Sequence, residues 1–195
     1  MSASMQISLS KPCVGAEEIA AATAVLSSGN LAQGVEVGHF EAEFASLIGV
    51  EHAVAVNSGT SALHVMLLGS GIGEGDHVIV PSFTFAATAN AVALAGATPI
   101  FADIDPSTYC ITPESVVKVA TPETKAVLPV HLYGQPCDMA GFAALCESQS
   151  WLLFEDASQA HLASVGGKRV GSWGHGAAFS FYPTKNMTTG EGGMV

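Results

Sequence analysis

Lys185 is the residue of this sequence with the clearest potential for covalent chemistry. It stands in the segment SFYPTKN, residues 180–186, where an apolar run passes into a turn. A lysine held in a partly desolvated pocket becomes nucleophilic because burial disfavours its charged form, and such an amine can form a Schiff base. The alternative interpretation is a solvated loop lysine. Lys185 alone does not decide between the two.

Two adjacent carboxylates, Glu155 and Asp156, end a second apolar run in the segment EDASQAH, residues 155–161. Successive residues of a strand point to opposite faces, so at most one of the two faces a given pocket. A carboxylate in that place could bind a ribose hydroxyl, a metal ion or a protonated ring nitrogen. The alternative interpretation is that the carboxylate only makes the end of the strand soluble and binds nothing.

A third motif, NSGTSAL at residues 57–63, has the character of a strand, a glycine turn and a helix start. Backbone N–H groups at a helix N-terminus, assisted by the hydroxyls of Thr60 and Ser61, can bind a phosphate. Ordinary N-capping explains the same residues. Neither a Walker A motif nor Gly-x-Gly-x-x-Gly occurs between a predicted strand and helix, which disfavours nucleoside triphosphate and Rossmann-type binding.

A fourth motif, PSFTFAAT at residues 81–88, follows another apolar run and contains Phe85. An aromatic ring at a strand end can stack on a flat heterocycle. Packing in the core is the commoner fate of a phenylalanine, so this motif is only suggestive by itself.

The elements around these motifs alternate between strands and helices. Short apolar runs predict strands at residues 53–56, 77–80, 98–102, 126–130, 151–154 and 177–181. Segments with helical periodicity lie between them, at residues 61–68, 85–94, 113–119 and 139–148. This order favours an α/β fold with a mostly parallel sheet and helices on both faces. All four motifs then meet at the carboxyl edge of one sheet, where such folds bind ligands.

The N-terminal part predicts a helix at residues 16–27, a glycine-rich loop at 29–38 and a helix at 39–48. We therefore divide the chain into an N-terminal helical and loop segment, residues 1–52, and a larger α/β domain, residues 53–195. The chain stops where a further apolar run begins, at Met194-Val195. We expect a fragment of a longer protein.

Composition excludes several partners. Six basic residues stand against 17 acidic ones, a net charge of −11, so the chain offers little to neutralise nucleic acid or anionic lipid. No apolar stretch reaches the roughly 18 to 20 residues of a spanning helix, and no secretory signal opens the sequence. We expect a cytoplasmic protein. The four cysteines form no C-x-x-C pair, and neither they nor the histidines predict a metal site.

Together the four motifs offer a phosphate cradle, an aromatic plate, a carboxylate and an amine, which is what pyridoxal 5'-phosphate requires. The chain resembles the N-terminal half of the DegT/DnrJ/EryC1/StrS family of sugar aminotransferases, which have the fold type I large domain. The resemblance rests on NSGTSAL, PSFTFAATAN, HLYGQPCDM, EDASQAH and FSFYPTKNMTTGEGG, in that order. It implies that the chain is truncated before the small C-terminal domain of that family.

The resemblance also implies residue roles. Lys185 would bind the cofactor covalently and then move protons, and Asp156 would pair with the pyridinium nitrogen. Gln159 would contact the ring hydroxyl, and Phe85 would stack on the ring. The implied phosphate-binding residues are Gly59, Thr60, Ser61 and Ser180.

The implied reaction is a ping-pong transamination from an amino acid, typically glutamate, to a keto sugar attached to a nucleotide. The family also implies a homodimer with the active site at its interface. Two alternatives remain. One is a sugar dehydratase using the same cofactor, against which the presence of Lys185 argues. The other is a truncated homologue that binds ligands without turnover.

Overall fold

The computed structural model describes Ser8 and residues 10–195, and in them helices and strands alternate along most of the chain. The helices are α1 (Ala16–Ser28), α2 (Val35–Ile48), α3 (Gly59–Gly69), α4 (Ala87–Leu94), α5 (Pro113–Val119) and α6 (Met139–Gln149), with a short 3-10 turn at Leu132–Gly134. The strands are β1 (Ala55–Val56), β2 (His77–Pro81), β3 (Thr98–Ala102), β4 (Thr124–Val127), β5 (Leu152–Asp156), β6 (Ser164–Val165), β7 (Lys168–Arg169), β8 (Gly176–Ser180) and β9 (Gly193–Met194).

Seven strands form one sheet in the order β1-β9-β8-β5-β4-β2-β3. The pairs β2–β3, β2–β4, β4–β5 and β5–β8 are parallel. Strand β9 lies antiparallel between β1 and β8. The prediction of a mostly parallel sheet is therefore confirmed. Strands β6 and β7 form a separate hairpin that the sequence analysis did not predict, although its Gly166-Gly167 turn is a strong hairpin signal.

Helices cover both faces of the sheet, as predicted. Along β2, Val78 and Val80 pack in a core with α3 and α4, whereas Ile79 between them belongs to a core with α5 and α6. All three side chains are fully buried. Strands buried on both faces carry continuous apolar runs, which is why these strands were evident in the sequence.

Helix α2 packs on the face of the sheet opposite α3 and α4, through a third apolar cluster. Its Phe44 ring meets Phe179 of β8 edge-on, with ring centroids 4.9 Å apart. The helix begins at Val35, so the predicted loop at residues 29–38 is wrong over its last four residues. Gly38 donates its N–H to the carbonyl of Gly34, which continues the helix despite two nearby glycines. Helix α1 has no buried residue.

Strand β4 is shorter than predicted because of a proline. The regular pairing ends at Val127, and Pro129 has no N–H to donate to a ladder. The chain nevertheless stays beside β5: the N–H of Asp156 donates to the Pro129 carbonyl at 2.9 Å, and that of His131 to the Asp156 carbonyl at 3.0 Å. These two bonds fix the backbone on both sides of Asp156.

Three of the four cysteines lie in the core, and no disulfide joins any pair among them and the exposed Cys13. Burial raises the pKa of Cys146 to about 11. No helix within residues 10–195 is both long enough and apolar enough to cross a membrane.

Candidate active site

A cavity of about 350 Å³ lies at the carboxyl edge of the sheet. Its walls come from the first residues of α3, the turn after β2, the ends of β5 and β8, and the loop after β8. Seven of the eight residues predicted for the site line it: Gly59, Thr60, Phe85, Asp156, Gln159, Ser180 and Lys185. The structure thus brings the four sequence motifs together around one space.

Helix α3 begins at the cavity wall with a side-chain cap. Ser58 is the N-cap residue, and its hydroxyl oxygen accepts the N–H of Ser61 at 3.1 Å. Ser58 also donates its hydroxyl proton to the Ser61 hydroxyl at 3.0 Å. Ser61 is therefore engaged in capping and does not line the cavity. The N–H groups of Gly59 and Thr60 in the first turn have no carbonyl partner within the helix.

Gly59 allows α3 to start directly against β8. A Cβ atom at this position would lie 2.6 Å from the Cβ of Ser180, closer than real side chains approach. The absence of a side chain here brings the helix N-terminus and the Ser180 hydroxyl to the same place. The N-terminus of α3, with its backbone donors and the positive end of the helix dipole, therefore lies beside Ser180, and Thr60 and Ser180 line the same cavity.

Asp156, the last residue of β5, faces the cavity with only 4% of its surface exposed. Its Oδ2 accepts a hydrogen bond from the Thr88 hydroxyl at 2.8 Å, and its Oδ1 accepts the N–H of Ser158 at 3.1 Å. Asp156 was evident as a candidate from the sequence, whereas Thr88 was not.

Glu155 points to the opposite face, as the period of a strand predicts. It is fully buried, and its carboxylate accepts backbone N–H groups from Gly171, Trp173 and Gly174 at 2.7 to 3.2 Å. It also lies 3.1 Å from Nε2 of His131, whose Nδ1 accepts the N–H of Cys137. Because Nδ1 is an acceptor, Nε2 carries the proton and donates to Glu155. Glu155 thus joins two loops behind the cavity.

Lys185 is half-buried in the loop that joins β8 to β9. Its N–H donates to the Tyr182 carbonyl at 2.9 Å. The ends of the loop are closed at Phe181, whose N–H donates to the Gly192 carbonyl and whose carbonyl accepts from Thr189 N and the Thr188 hydroxyl. The backbone that carries the lysine is therefore held against the sheet.

Phe85 is 73% exposed and lines the cavity, so the core-packing alternative for this ring does not apply. Gln159 lies on another wall, where its Oε1 accepts the N–H of Tyr133 at 2.8 Å. With the oxygen occupied, the amide nitrogen is the part of Gln159 that can donate to a ligand. Tyr133 was missed by the sequence analysis, because its contribution comes from the backbone.

These residues fit pyridoxal phosphate. The cavity has an anion-binding corner at α3, a buried carboxylate, an exposed aromatic face and an amine, and its volume is within the usual range for small-molecule sites. Fold and site together place the protein in the class of α/β proteins that bind this cofactor at the carboxyl edge of a mostly parallel sheet.

Comparison with known proteins agrees. The model of the DegT/DnrJ/EryC1/StrS aminotransferase family matches residues 12–195, and the chain belongs to this family. It is 48% identical to the spore coat polysaccharide biosynthesis protein SpsC of Bacillus subtilis over 186 residues, 95% of this chain and 48% of that protein. It is 49% identical to the GDP-perosamine synthase of Caulobacter vibrioides over 156 residues, 80% of this chain and 42% of that protein.

Solved structures agree on the fold and the cofactor. The sugar aminotransferase Spr1654 of Streptococcus pneumoniae in its PLP form, described as putative, superimposes with a TM-score of 0.93 at 29% identity, over 97% of this chain and 52% of that one. The chain spans about half the length of the relatives it matches. Membership of the family, predicted from five motifs, is confirmed.

Proposed function

We propose that this chain carries the cofactor site of a pyridoxal-phosphate-dependent aminotransferase that moves an amino group from an amino acid, glutamate, to a keto sugar linked to a nucleotide. The observation that carries the proposal is the placement of Asp156 and Lys185 on the walls of one cavity, beside the N-terminus of α3. The names of two relatives, one in polysaccharide biosynthesis and one a GDP-perosamine synthase, support a nucleotide-linked sugar.

The phosphate would bind at the start of α3. The N–H groups of Gly59 and Thr60 are free of intrahelical partners and lie at the positive end of the helix dipole. The hydroxyls of Thr60 and Ser180, which line the same cavity, would add donors. Ser61 would contribute indirectly, because its N–H fixes the Ser58 cap and with it the shape of the first turn.

The ring would be held from its edges and one face. The Asp156 carboxylate would accept a hydrogen bond from the protonated ring nitrogen. This contact would keep the nitrogen protonated and the ring electron-withdrawing. The amide nitrogen of Gln159 would donate to the ring hydroxyl, since its oxygen is held by Tyr133. Phe85, which is exposed on the cavity wall, would cover one face of the ring by stacking.

Lys185 would carry the catalysis. Pyridoxal phosphate, when bound, supplies a carbonyl that bonds to amines and a ring that stabilises negative charge at the neighbouring carbon. Lys185 lines the cavity, and its Nζ would hold the cofactor through that carbonyl carbon, with the carbonyl oxygen released as water. With an amino substrate bound in the cavity, the Nζ of Lys185 would accept a proton from one carbon and return it to another.

We also infer a homodimer. Helices α3 and α4, on one face of the sheet, expose Val65, Leu68 and Leu94 with 47%, 51% and 63% of their surfaces accessible. Burial of apolar side chains against a second copy would remove them from water. These helices also carry the phosphate corner and Thr88, so a partner bound there would lie next to the cavity.

Reductive trapping tests the proposal. The complete chain, as its gene encodes it, is incubated with pyridoxal phosphate, reduced with borohydride and mapped by peptide mass spectrometry. We expect the cofactor mass on Lys185, its loss in Lys185→Ala, and its retention in Lys125→Ala, which changes an exposed lysine of β4 outside the cavity. Folded protein without the label, or labelled elsewhere, would overturn the proposal.

Turnover separates the remaining alternatives. With ¹⁵N-glutamate and nucleotide-linked keto sugars, an aminotransferase incorporates ¹⁵N into the sugar. A dehydratase gives a deoxygenated sugar without nitrogen, and a protein that only binds gives no product.

A further inference from the structure

A buried hydroxyl contacts the carboxylate of Asp156 from the side of the sheet that α4 covers. Thr88 lies in the first turn of α4 and is 1% exposed, and its Oγ1 is 2.8 Å from Oδ2 of Asp156. A second hydroxyl continues the contact, because Oγ1 of Thr84 lies 3.1 Å from Oγ1 of Thr88. Thr84 belongs to the turn after β2 and lines the cavity.

The direction of these hydrogen bonds follows from the number of protons. An ionised carboxylate only accepts, so Thr88 donates its single hydroxyl proton to Asp156. Thr88 then has no proton left for Thr84 and must accept one from it. The chain of bonds therefore runs from Thr84 to Thr88 to Asp156.

The second oxygen of the carboxylate is held from another direction. The N–H of Ser158 donates to Oδ1 at 3.1 Å, while the backbone of Asp156 is fixed by Pro129 and His131. The carboxylate plane cannot rotate without loss of the Thr88 or the Ser158 bond. Each oxygen still has a free lone-pair direction, so a ligand in the cavity can donate to a carboxylate that is already oriented.

We propose that Thr88 is a positioning residue for Asp156, and that the Thr84–Thr88 hydroxyl pair fixes the carboxylate in the orientation that receives the ring nitrogen of the cofactor. The inference rests on the proposed function. Threonine has two common χ1 rotamers in a helix, and burial together with the bonds to Asp156 and Thr84 selects one of them. The hydroxyl is thus held toward the carboxylate before any ligand arrives, and no ordering of the side chain is needed on binding.

Binding of pyridoxamine phosphate to the complete chain tests this inference. This form of the cofactor has no carbonyl and does not bond to Lys185, so its affinity reports on the ring and phosphate contacts alone. We expect Thr88→Val to weaken binding about tenfold, because one hydrogen bond to a charged group is lost. Thr88→Ser keeps the hydroxyl and should remain within about twofold of the unmodified chain. Thr84→Val removes only the hydrogen bond from Thr84 to Thr88, so its affinity should lie between those of Thr88→Ser and Thr88→Val.

A spectroscopic readout separates positioning from general stability. With ¹⁵N in the ring of bound pyridoxamine phosphate, the NMR chemical shift of the ring nitrogen should be that of a protonated nitrogen in the unmodified chain and in Thr88→Ser. In Thr88→Val the resonance should move toward that of the unprotonated ring. The control is Thr124→Val, which removes another buried hydroxyl, bonded to Thr121 N, at the opposite end of β4. It should lower thermal stability and leave both the affinity and the resonance unchanged.

Unchanged affinity in Thr88→Val would overturn the inference, and so would a Thr88→Ser variant as weak as Thr88→Val, because the hydroxyl would then not be the cause. If Thr88→Val does not fold, Thr84→Val decides: weaker binding supports the pair, and unchanged binding refutes it. Failure of the unmodified chain to bind pyridoxamine phosphate would refute the proposed function itself, and this inference with it. That result is visible before any variant is compared.

Discussion

His161 is a buried titratable residue that packs against two aromatic rings of the core. Its ring lies 5.5 Å from the ring centroids of both Phe179 and Phe181. Burial lowers the pKa of His161, because the charged imidazolium is poorly solvated in this position. His161 therefore binds a proton less readily in the folded chain than in the unfolded chain.

This difference predicts a loss of stability in acid. As the pH falls below 6.5, the ordinary value for histidine, the unfolded chain gains a proton at residue 161 before the folded chain does. The free energy of unfolding should fall with it. Urea unfolding at pH 7.5 and pH 5.5 should show a smaller decrease for His161→Phe than for the unmodified chain. His52→Gln, at an exposed histidine, is the control and should leave the decrease as it was. An equal decrease in all three would contradict the assignment.

Single residues of the site differ in how far the sequence predicts them. Strand geometry predicted that Glu155 and Asp156 point to opposite faces, and the structure confirms this. The choice of Asp156 as the carboxylate of the cavity came from the family resemblance. Thr88 could not be predicted, because a threonine inside a helix pattern has no special local signal. Its partner lies in another strand far along the chain, and only the tertiary fold brings the two together. The family resemblance implied that the backbone of Ser61 binds the phosphate, whereas in the structure the N–H of Ser61 donates to the Ser58 hydroxyl.

The contact between elements that matters most for the cavity is that of α3 with β8. Gly59 is the first residue of α3, and its missing Cβ leaves room for Ser180. The proposed phosphate site depends on this close approach, because the N–H groups of α3 and the Ser180 hydroxyl belong to different elements. Any side chain at residue 59 should push the two elements apart.

Gly59→Ala is therefore expected to lower the free energy of unfolding by about 1 to 3 kcal/mol, the usual cost of overpacking. Gly69→Ala lies at the other end of the same helix, where a Cβ meets nothing within 4 Å, and should be neutral or stabilising. Thermal or urea unfolding measures both. Adding Ser180→Gly to Gly59→Ala should recover part of the loss. If Gly59→Ala behaved like Gly69→Ala, the close packing of α3 on β8 would be wrong.

Elements were easiest to predict where burial left a regular pattern. Strand β3 and helix α5 have the predicted bounds, because an apolar run in one and a Thr112-Pro113 start in the other mark their ends. The errors have local causes. Pro129 interrupts a run that looks continuous by hydropathy, and the glycines before α2 look like a loop although the helix passes through Gly38.

At the scale of the whole molecule, the exposed apolar side chains of α3 and α4 lead to a test of the homodimer. Leu68→Glu should weaken dimerisation of the complete chain at least tenfold, about 1.4 kcal/mol, because a charge would have to be buried at the interface. Sedimentation velocity over a concentration series measures this. Val117→Glu, at a residue of α5 that is 57% exposed on the other face of the sheet, is the matched control and should not change the association. A complete chain that is monomeric at micromolar concentration would refute the inference.

The position of β9 has a consequence for the time course of folding. Ala55 of β1 and Phe179 of β8 both pair with Met194, so the strand that separates them in the sheet is the last one described in the chain. Among the described strands β1 pairs only with β9, and this pairing cannot form during synthesis until residues 193–194 have left the ribosome. Pairing between such distant segments closes a large loop and is slow compared with the local βα units. The same pairing closes the loop that carries Lys185, so we expect the proposed cofactor site to form late, after most of the sheet.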